Sequence, residues 1–374
     1  MRIGIDARCL EEKERTGVAR YLLNLLRAFC ELAPQNEYIL YIKNDSLSDL
    51  PIKSCVEQRS LDRDGLAENI VFEQFILPRQ AQKDGVDILF SPAYTTPLWC
   101  RCQRVVTIHD ISYHLFPQWF KFDEILRVRT ISRISAKRAS KIFVVSEYTK
   151  REVVKHYGIS AGKILVTHNG VDPRFKPSGD PQAIARVKQK YGIGELYILH
   201  VGAIFVRRNI PTLISAFREI ANELPCQLVL VGPNRTNPYQ DISALIKEKK
   251  LERQVVWIEY ASDEDLSLLY EGAHLLTLLS AYEGFGFPAI EAMACGTPVV
   301  ASNLTSLPEV VGDAGLLVDP SDVESVCNAI FRVLIDNKLR ASLASKALER
   351  AKNFSWKKTA EKSLAAFEEL VGRG

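Results

Sequence analysis

Short apolar runs of strand length alternate with helical stretches along most of the chain, and few architectures accept that pattern. In the first half the strand-like runs are Arg2–Ala7, Tyr38–Ile42, Ile88–Phe90, Val105–Ile108 and Ile142–Val145. Helical patterns lie between them, among them Ala19–Leu32, with apolar residues at 22, 23, 25, 26 and 29, and Phe122–Ala139. The second half repeats the style with Tyr197–Val201, Gln227–Val231, Val255–Ile258, Leu275–Leu278 and Thr297–Ala301, interleaved with Ile210–Glu223, Asp263–Glu271 and Ala289–Cys295. Parallel neighbours need a crossover and a helix supplies it, so the alternation predicts parallel sheets with helices on both faces. Two such series in 374 residues predict an α/β protein of two doubly wound, Rossmann-like domains facing across a cleft. Pro173, Pro177, Gly179 and Pro181 mark Asn169–Gly192 as a linker, and the chain reads as helical after residue 320.

Composition narrows the class. A hydrophobic content of 47% with a net charge of only +3 argues against disorder. The longest apolar passage, Leu196–Val206, falls short of the roughly 18 residues of a spanning helix and contains His200 and Gly202. No apolar signal core follows Met1, so a cytoplasmic location is expected. Eight cysteines without a C-x2-C pair predict scattered reduced thiols, and Cys100-Arg101-Cys102 is too tight for a structural zinc site. Residues 1–180 carry 27 Lys and Arg against 22 Asp and Glu, a mild excess that permits an anionic partner without implying nucleic acid.

The most informative segment runs from Ser280 to Pro298. A strand leads into a loop containing Glu283, Gly284, Phe285 and Gly286, and a helix opens around Pro288, where a missing N–H costs nothing. Glycines let the backbone approach a ligand, and a helix start favours an anion. Glu283 and Glu291, eight positions apart, can face one ligand, with Glu291 expected in the first turn. Gly284-x-Gly286-x-x-Ala289 also fits a dinucleotide fingerprint, but the next strand ends in Ser302-Asn303 with no acid for a ribose hydroxyl.

Glu283 to Glu291 resembles the E-x7-E element of the retaining glycosyltransferases of family 4, which have the GT-B fold. Gly296-Thr-Pro-Val-Val-Ala-Ser continues the likeness, as do Gly4-Ile-Asp-Ala-Arg, Thr16-Gly17, Arg20-Tyr21 and Thr107-Ile-His-Asp-Ile-Ser. Asn169-Gly-Val-Asp, Val201-Gly with Arg207-Arg-Asn, Leu307-Pro-Glu-Val and Gly312-Asp-Ala complete it. The resemblance implies a nucleotide-sugar donor held mainly by a C-terminal domain near 190–355. It implies an acceptor held mainly by an N-terminal domain near 1–175, and a final helix, 356–374, crossing back to the first domain. Glu283 would contact hydroxyls of the donor sugar and Glu291 the ribose diol. Arg207 and Arg208, where the family usually has Arg-Lys, would neutralise the leaving diphosphate, leaning harder on that pair because Ala203 stands where some relatives have arginine. Gly17 would close on the donor phosphates or the acceptor. His109 would lie by the reacting centre, orienting a sugar hydroxyl and stabilising positive charge through its carbonyl. A His109–Asp110 general base is the weaker account, since adjacent strand residues point to opposite faces.

The expected catalytic residues are therefore His109, Glu283 and Arg208. The expected donor-binding residues are Gly17, Arg207, Arg208, Glu283, Gly284, Phe285, Gly286 and Glu291. The resemblance implies no metal and no other cofactor. It implies retention by front-face attack, the departing phosphate taking the acceptor proton. The combined N-terminal motifs resemble bacterial mannosyltransferases of surface-polysaccharide assembly, which favours GDP-mannose and a glycan or lipid-linked saccharide acceptor. UDP-sugars remain an alternative, as do an epimerase or hydrolase and a non-catalytic nucleotide-binding protein. The basic stretch 122–141, with Arg127, Arg129, Arg133, Lys137, Arg138 and Lys141, fits either an anionic membrane surface or a plain solvated face.

Overall fold

The computed structural model describes residues 1–11, 16–43, 47, 55–61, 69–120 and 122–372. The side chains of Phe122, Ile125, Leu126 and Arg127 lie outside the described residues. Two compact units are present. The first holds Met1–Leu115, Phe122–Gly170 and Ser355–Gly374, and the second Phe116–Lys121 and Val171–Phe354.

In the first unit seven strands form one parallel sheet. They are β1 (Arg2–Asp6), β2 (Glu37–Ile42), β3 (Val56–Ser60), β4 (Ile88–Ser91), β5 (Gln103–Ile108), β6 (Lys141–Val144) and β7 (Ile164–Val166). Their order is β3-β2-β1-β4-β5-β6-β7. Helix Gly17–Leu32 starts at Thr16, whose side chain accepts from the Ala19 N–H, and it buries Leu22, Leu25, Leu26 and Phe29. Helix Trp356–Gly372 packs beside it, with Phe367 against Phe29, Phe90 and Phe143 at 5.9, 5.8 and 5.7 Å between ring centroids. A Cβ on Gly170 would lie 2.2 Å from the Trp356 nitrogen, so only glycine lets this helix seat.

The second unit has six parallel strands: β8 (Tyr197–Val201), β9 (Gln227–Val231), β10 (Val255–Ile258), β11 (Leu275–Leu278), β12 (Val299–Ser302) and β13 (Gly315–Val318). The order is β10-β9-β8-β11-β12-β13. Its core joins Ile198, Leu228 and Leu230 of the sheet to Ile214 and Phe217 of helix Ile210–Glu223 and Ile330 and Val333 of helix Val323–Ile335.

Several expectations are corrected. Much of the presumed linker is a helix, Pro181–Tyr191, capped by Asp180 and ended by Gly192 at φ +68°. Its Pro and Gly serve as first-turn residue and C-terminal cap, the two helix positions that suit them. Strands β3, β7 and β13 went unread because they are short or, in β3, polar. Cys30 and Cys55 form a disulfide, so the eight thiols are not all reduced. Pairing of β3 with β2 brings Cys55 to the end of helix Gly17–Leu32, with Cα atoms 5.9 Å apart, a contact that the sequence spacing hides.

Candidate active site

Strand order reverses between β1 and β4 in the first sheet and between β8 and β11 in the second. Doubly wound sheets bind ligands outside the carboxyl ends of the strands at such points. Both units carry functional groups there.

In the second unit β8 runs into Gly202 at φ +118°, where a Cβ would come within 3.3 Å of Arg208 Nη2. A single turn, Val206–Arg208, follows and Asn209 reverses the chain at φ +57°. Asparagine tolerates this conformation better than most residues. The Arg207 carbonyl accepts from the Ala281 N–H at 2.8 Å, tying this loop to the one after β11. Arg208 Nη1 thereby lies 3.0 Å from Glu283 Oε1. Each residue is 9% exposed. The contact has ion-pair distance but not hydrogen-bond alignment, so Nη1 and Nε are buried donors with no hydrogen-bond acceptor among the described residues. Burial pushes the guanidinium below its usual range while Glu283 opposes that shift. An arginine keeps its charge even so.

Glu283 is fixed from three sides. Ser280 Oγ donates to Oε1 at 2.8 Å, the Glu283 N–H donates to Thr305 Oγ1 at 3.2 Å, and Ser306 Oγ donates to the Glu283 carbonyl at 2.9 Å. Glu291 lies in the second turn of helix Phe287–Ala294, not the first, because the helix opens at Phe287. It is 5% exposed, and the buried Tyr270 hydroxyl donates to its Oε2 at 2.8 Å. Gly284 lies in the buried loop before this helix. Phe285 is a core residue, its ring edge-on to Phe287 and Phe354, so only its backbone can meet a ligand. The Arg207 guanidinium lies 4.5 Å from the centroid of the Phe205 ring.

His200, on β8 behind Arg208, is fully buried and neutral. Its Nδ1 pairs with the Thr277 carbonyl at 3.2 Å, and burial, reinforced by Arg208, pushes it down to about 3. An unfolded imidazole titrates near 6.5. Folded-state stability is thus fully present above pH ~6.5 and declines as pH falls toward 3, by about 1.4 kcal/mol per pH unit from this group. Urea-unfolding midpoints should decline from pH 7 to 5, and His200→Gln should flatten part of that slope; an unchanged slope would remove this account.

The first unit brings His109 to the end of β5. Its Nε2 pairs with the Pro92 carbonyl at 2.8 Å, its ring packs edge-on to Tyr21 at 4.9 Å, and burial lowers its pKa. Asp110 instead accepts from the Ser112 N–H and hydroxyl at 2.8 and 2.6 Å. Thr149 Oγ1 donates to the His109 carbonyl at 3.4 Å. Gly17 is the first residue of its helix, and a Cβ there would meet nothing within 4 Å, so local packing does not require the glycine.

Beside Pro92 and Tyr94 opens a cavity of about 430 Å³, at the ends of β1 and β4. Arg8 crosses its wall, donating to Asp6 at 2.6 Å and to Glu73 at 2.9 Å, while Thr95 donates to Glu73 at 2.8 Å. Glu11 and Lys43 also line it. Three carboxylates thus face two cations, and the arginine is already paired, which suits a neutral polyhydroxylated ligand better than a phosphate. Tyr270 and Glu73 were not foreseen, because neither stands in a spaced motif. Among the described residues no group of three or more His, Cys, Asp or Glu could hold a metal ion, and no helix is long and apolar enough to cross a membrane.

Two parallel-sheet Rossmann-like units, the second with a buried Arg–Glu pair at its switch point, fit the GT-B fold of glycosyltransferases. Comparison with known proteins makes this specific. Residues 15–175 match "Glycosyltransferase Family 4" and residues 183–350 match "Glycosyl transferases group 1". The chain is 30% identical over 370 residues to "O-antigen chain mannosyltransferase B" of Escherichia coli, covering 95% of this chain and 96% of that one. It is 30% identical over 274 residues to "Serotype-specific mannosyltransferase WbdA" of Escherichia coli, covering 72% of this chain and 34% of that one. Sucrose-phosphate synthase from Thermosynechococcus elongatus superposes with a TM-score of 0.79 over 100% of both chains at 22% identity. This chain belongs to the family 4 glycosyltransferases, and it is a hexosyltransferase.

Proposed function

We propose that the protein transfers an α-mannosyl residue from GDP-mannose to a glycan or lipid-linked saccharide, with retention of configuration, in surface-polysaccharide assembly. The observation that carries the donor site is Arg208, a buried cation at the switch point of the second sheet whose Nε and Nη1 find no hydrogen-bond acceptor among the described residues, Nη1 facing Glu283 only as an ion pair. Such a group suits the charge that grows on a departing diphosphate. Ser280 and Arg208 both engage Glu283, which favours holding sugar hydroxyls over attack on carbon. Retention then proceeds on the front face, the leaving phosphate accepting the proton of the acceptor hydroxyl. Tyr270 orients the Glu291 carboxylate, which can accept both hydroxyls of the ribose. The first unit's cavity, lined by spent charges and by Tyr94, supports a saccharide acceptor with His109 beside it. The mannosyl assignment rests on the activity that names the Escherichia coli relative matched over nearly its whole length.

Calorimetry with GDP, UDP and their sugars, without acceptor, tests the donor. GDP-mannose should bind at least about tenfold more tightly than any UDP-sugar, a difference of ~1.4 kcal/mol. Preference for a UDP-sugar would overturn the mannosyl assignment and leave the transferase intact.

We further propose that helix Phe122–Arg138 rests on an anionic membrane surface from the cytoplasmic side. Arg129, Arg133, Lys137 and Arg138 are exposed along it, and Arg138 lies 4.5 Å from the ring centroid of Trp99, which is 71% exposed. Tryptophan beside basic residues is suited to the headgroup region. Changing Arg133, Lys137 and Arg138 to glutamate should weaken flotation with phosphatidylserine vesicles by about 100-fold, at ~1 kcal/mol for each cation. Unchanged flotation would dismiss the membrane role.

A further inference from the structure

The loop from β4 to β5 is held at both shoulders. Leu98 N–H donates to Gln74 Oε1 at 2.9 Å, and Arg104 Nη1 donates to the Pro97 and Leu98 carbonyls at 3.1 and 2.7 Å. Between these ties stand Trp99 and two half-buried cysteines, Cys100 and Cys102, packed at the edge of the cluster formed by Tyr41, Leu77 and Leu89. Their sulfurs are 2.7 Å apart, against ~2.05 Å in a disulfide bond. Cys100 lines a cavity of about 430 Å³, with Arg101 and Arg104 on the same wall.

We infer that Cys100 and Cys102 are a reversible thiol–disulfide site, closed by exchange with a low-molecular-weight disulfide such as oxidised glutathione. The Cys100 thiolate attacks one sulfur of that disulfide, forming a mixed disulfide and releasing one glutathione thiolate. Cys102 then attacks the Cys100 sulfur, closing the protein disulfide and expelling the second glutathione. The two protein thiols lose two electrons, the two departing thiolates receive them, and the two thiol protons go with them. The environment sets the order of attack. The hydrogen bond from Cys102 lowers the Cys100 thiol to about 6, with a smaller effect in the same direction from Arg104, and Cys102 is raised. A lowered thiol in an electropositive, partly exposed setting is the one that reacts first. The exchange needs only the loop's centre to adjust, because both shoulders stay tied.

The full-length protein is equilibrated in buffers of rising oxidised-to-reduced glutathione ratio, acid-quenched, alkylated and mapped by peptide mass spectrometry. Alkylation of Cys100 and Cys102 should disappear together as one two-electron transition, returning fully on addition of reduced glutathione. Cys102→Ser should instead leave a stable glutathione adduct on Cys100. In Cys102→Ala, which removes the hydrogen-bond donor altogether, the Cys100 alkylation midpoint should rise from near pH 6 toward the ordinary ~8.5 of a free thiol. Persistent alkylation of both cysteines at every ratio, a glutathione adduct alone in the unmodified protein, or bridging between two copies would overturn the assignment.

Discussion

Replacing Arg208 by alanine should lower the rate of sugar transfer by about 10²–10³-fold, the usual loss when one group facing developing charge is removed. The fall should lie mainly in kcat, because the leaving diphosphate carries more charge at the transition state than in the bound donor. The same change also leaves Glu283, 9% exposed, without its cation, and breaking a buried pair costs about 3–5 kcal/mol. Inactivity alone would therefore be ambiguous. The double variant Arg208→Met, Glu283→Gln removes both charges together and should recover most of the lost thermal stability while remaining inactive. Near-normal kcat in either variant would remove Arg208 from the chemistry.

The largest structural effect is expected at Gly286. Its φ of +101° lies where residues with a side chain rarely go, and an added Cβ would meet Leu307 Cδ2 at 2.7 Å. Left-handed backbone costs roughly 1–2 kcal/mol and overpacking about 1–3 kcal/mol more. Gly286→Ala should lower the melting temperature of the second unit by about 5–15 °C. It should also abolish donor binding, since Gly286 opens the helix that carries Glu291. A normal melt with normal nucleotide affinity would mean that the loop has slack the geometry does not suggest. Gly17 offers the contrast, because open space surrounds it and alanine there should fold normally.

The alternation of apolar runs was enough to place ten of the strands in two parallel sheets, because buried parallel strands write themselves as continuous hydrophobic stretches. Strand β3 escaped because Glu57, Gln58 and Arg59 leave it no apolar signature, and the edge of a sheet tolerates that. Helix Pro181–Tyr191 escaped because its boundary residues punctuate loops as readily as helices. In the site, Glu283 and Glu291 were singled out by their spacing, and Arg208 by the family resemblance. The pairing of Arg208 with Glu283 was not legible, since 75 residues separate them and only the β8–β11 neighbour relation joins them. Tyr270 and Glu73 carry their roles entirely through tertiary contact. The disulfide is of the same kind, a product of strand pairing that no local rule announces.

The helix Trp356–Gly372 completes a unit whose other residues end at Gly170. During synthesis the first sheet is made before the second, yet Phe29, Phe90 and Phe143 lack their Phe367 cover until helix Trp356–Gly372 has emerged. The second unit, continuous from Val171 to Phe354 apart from one short segment, has almost all its sequence before that. The order of birth is thus not the order of completion. The early half waits, with an aromatic groove open, for helix Trp356–Gly372, and a stall before that helix leaves behind a nascent chain with a sticky face for chaperones to guard.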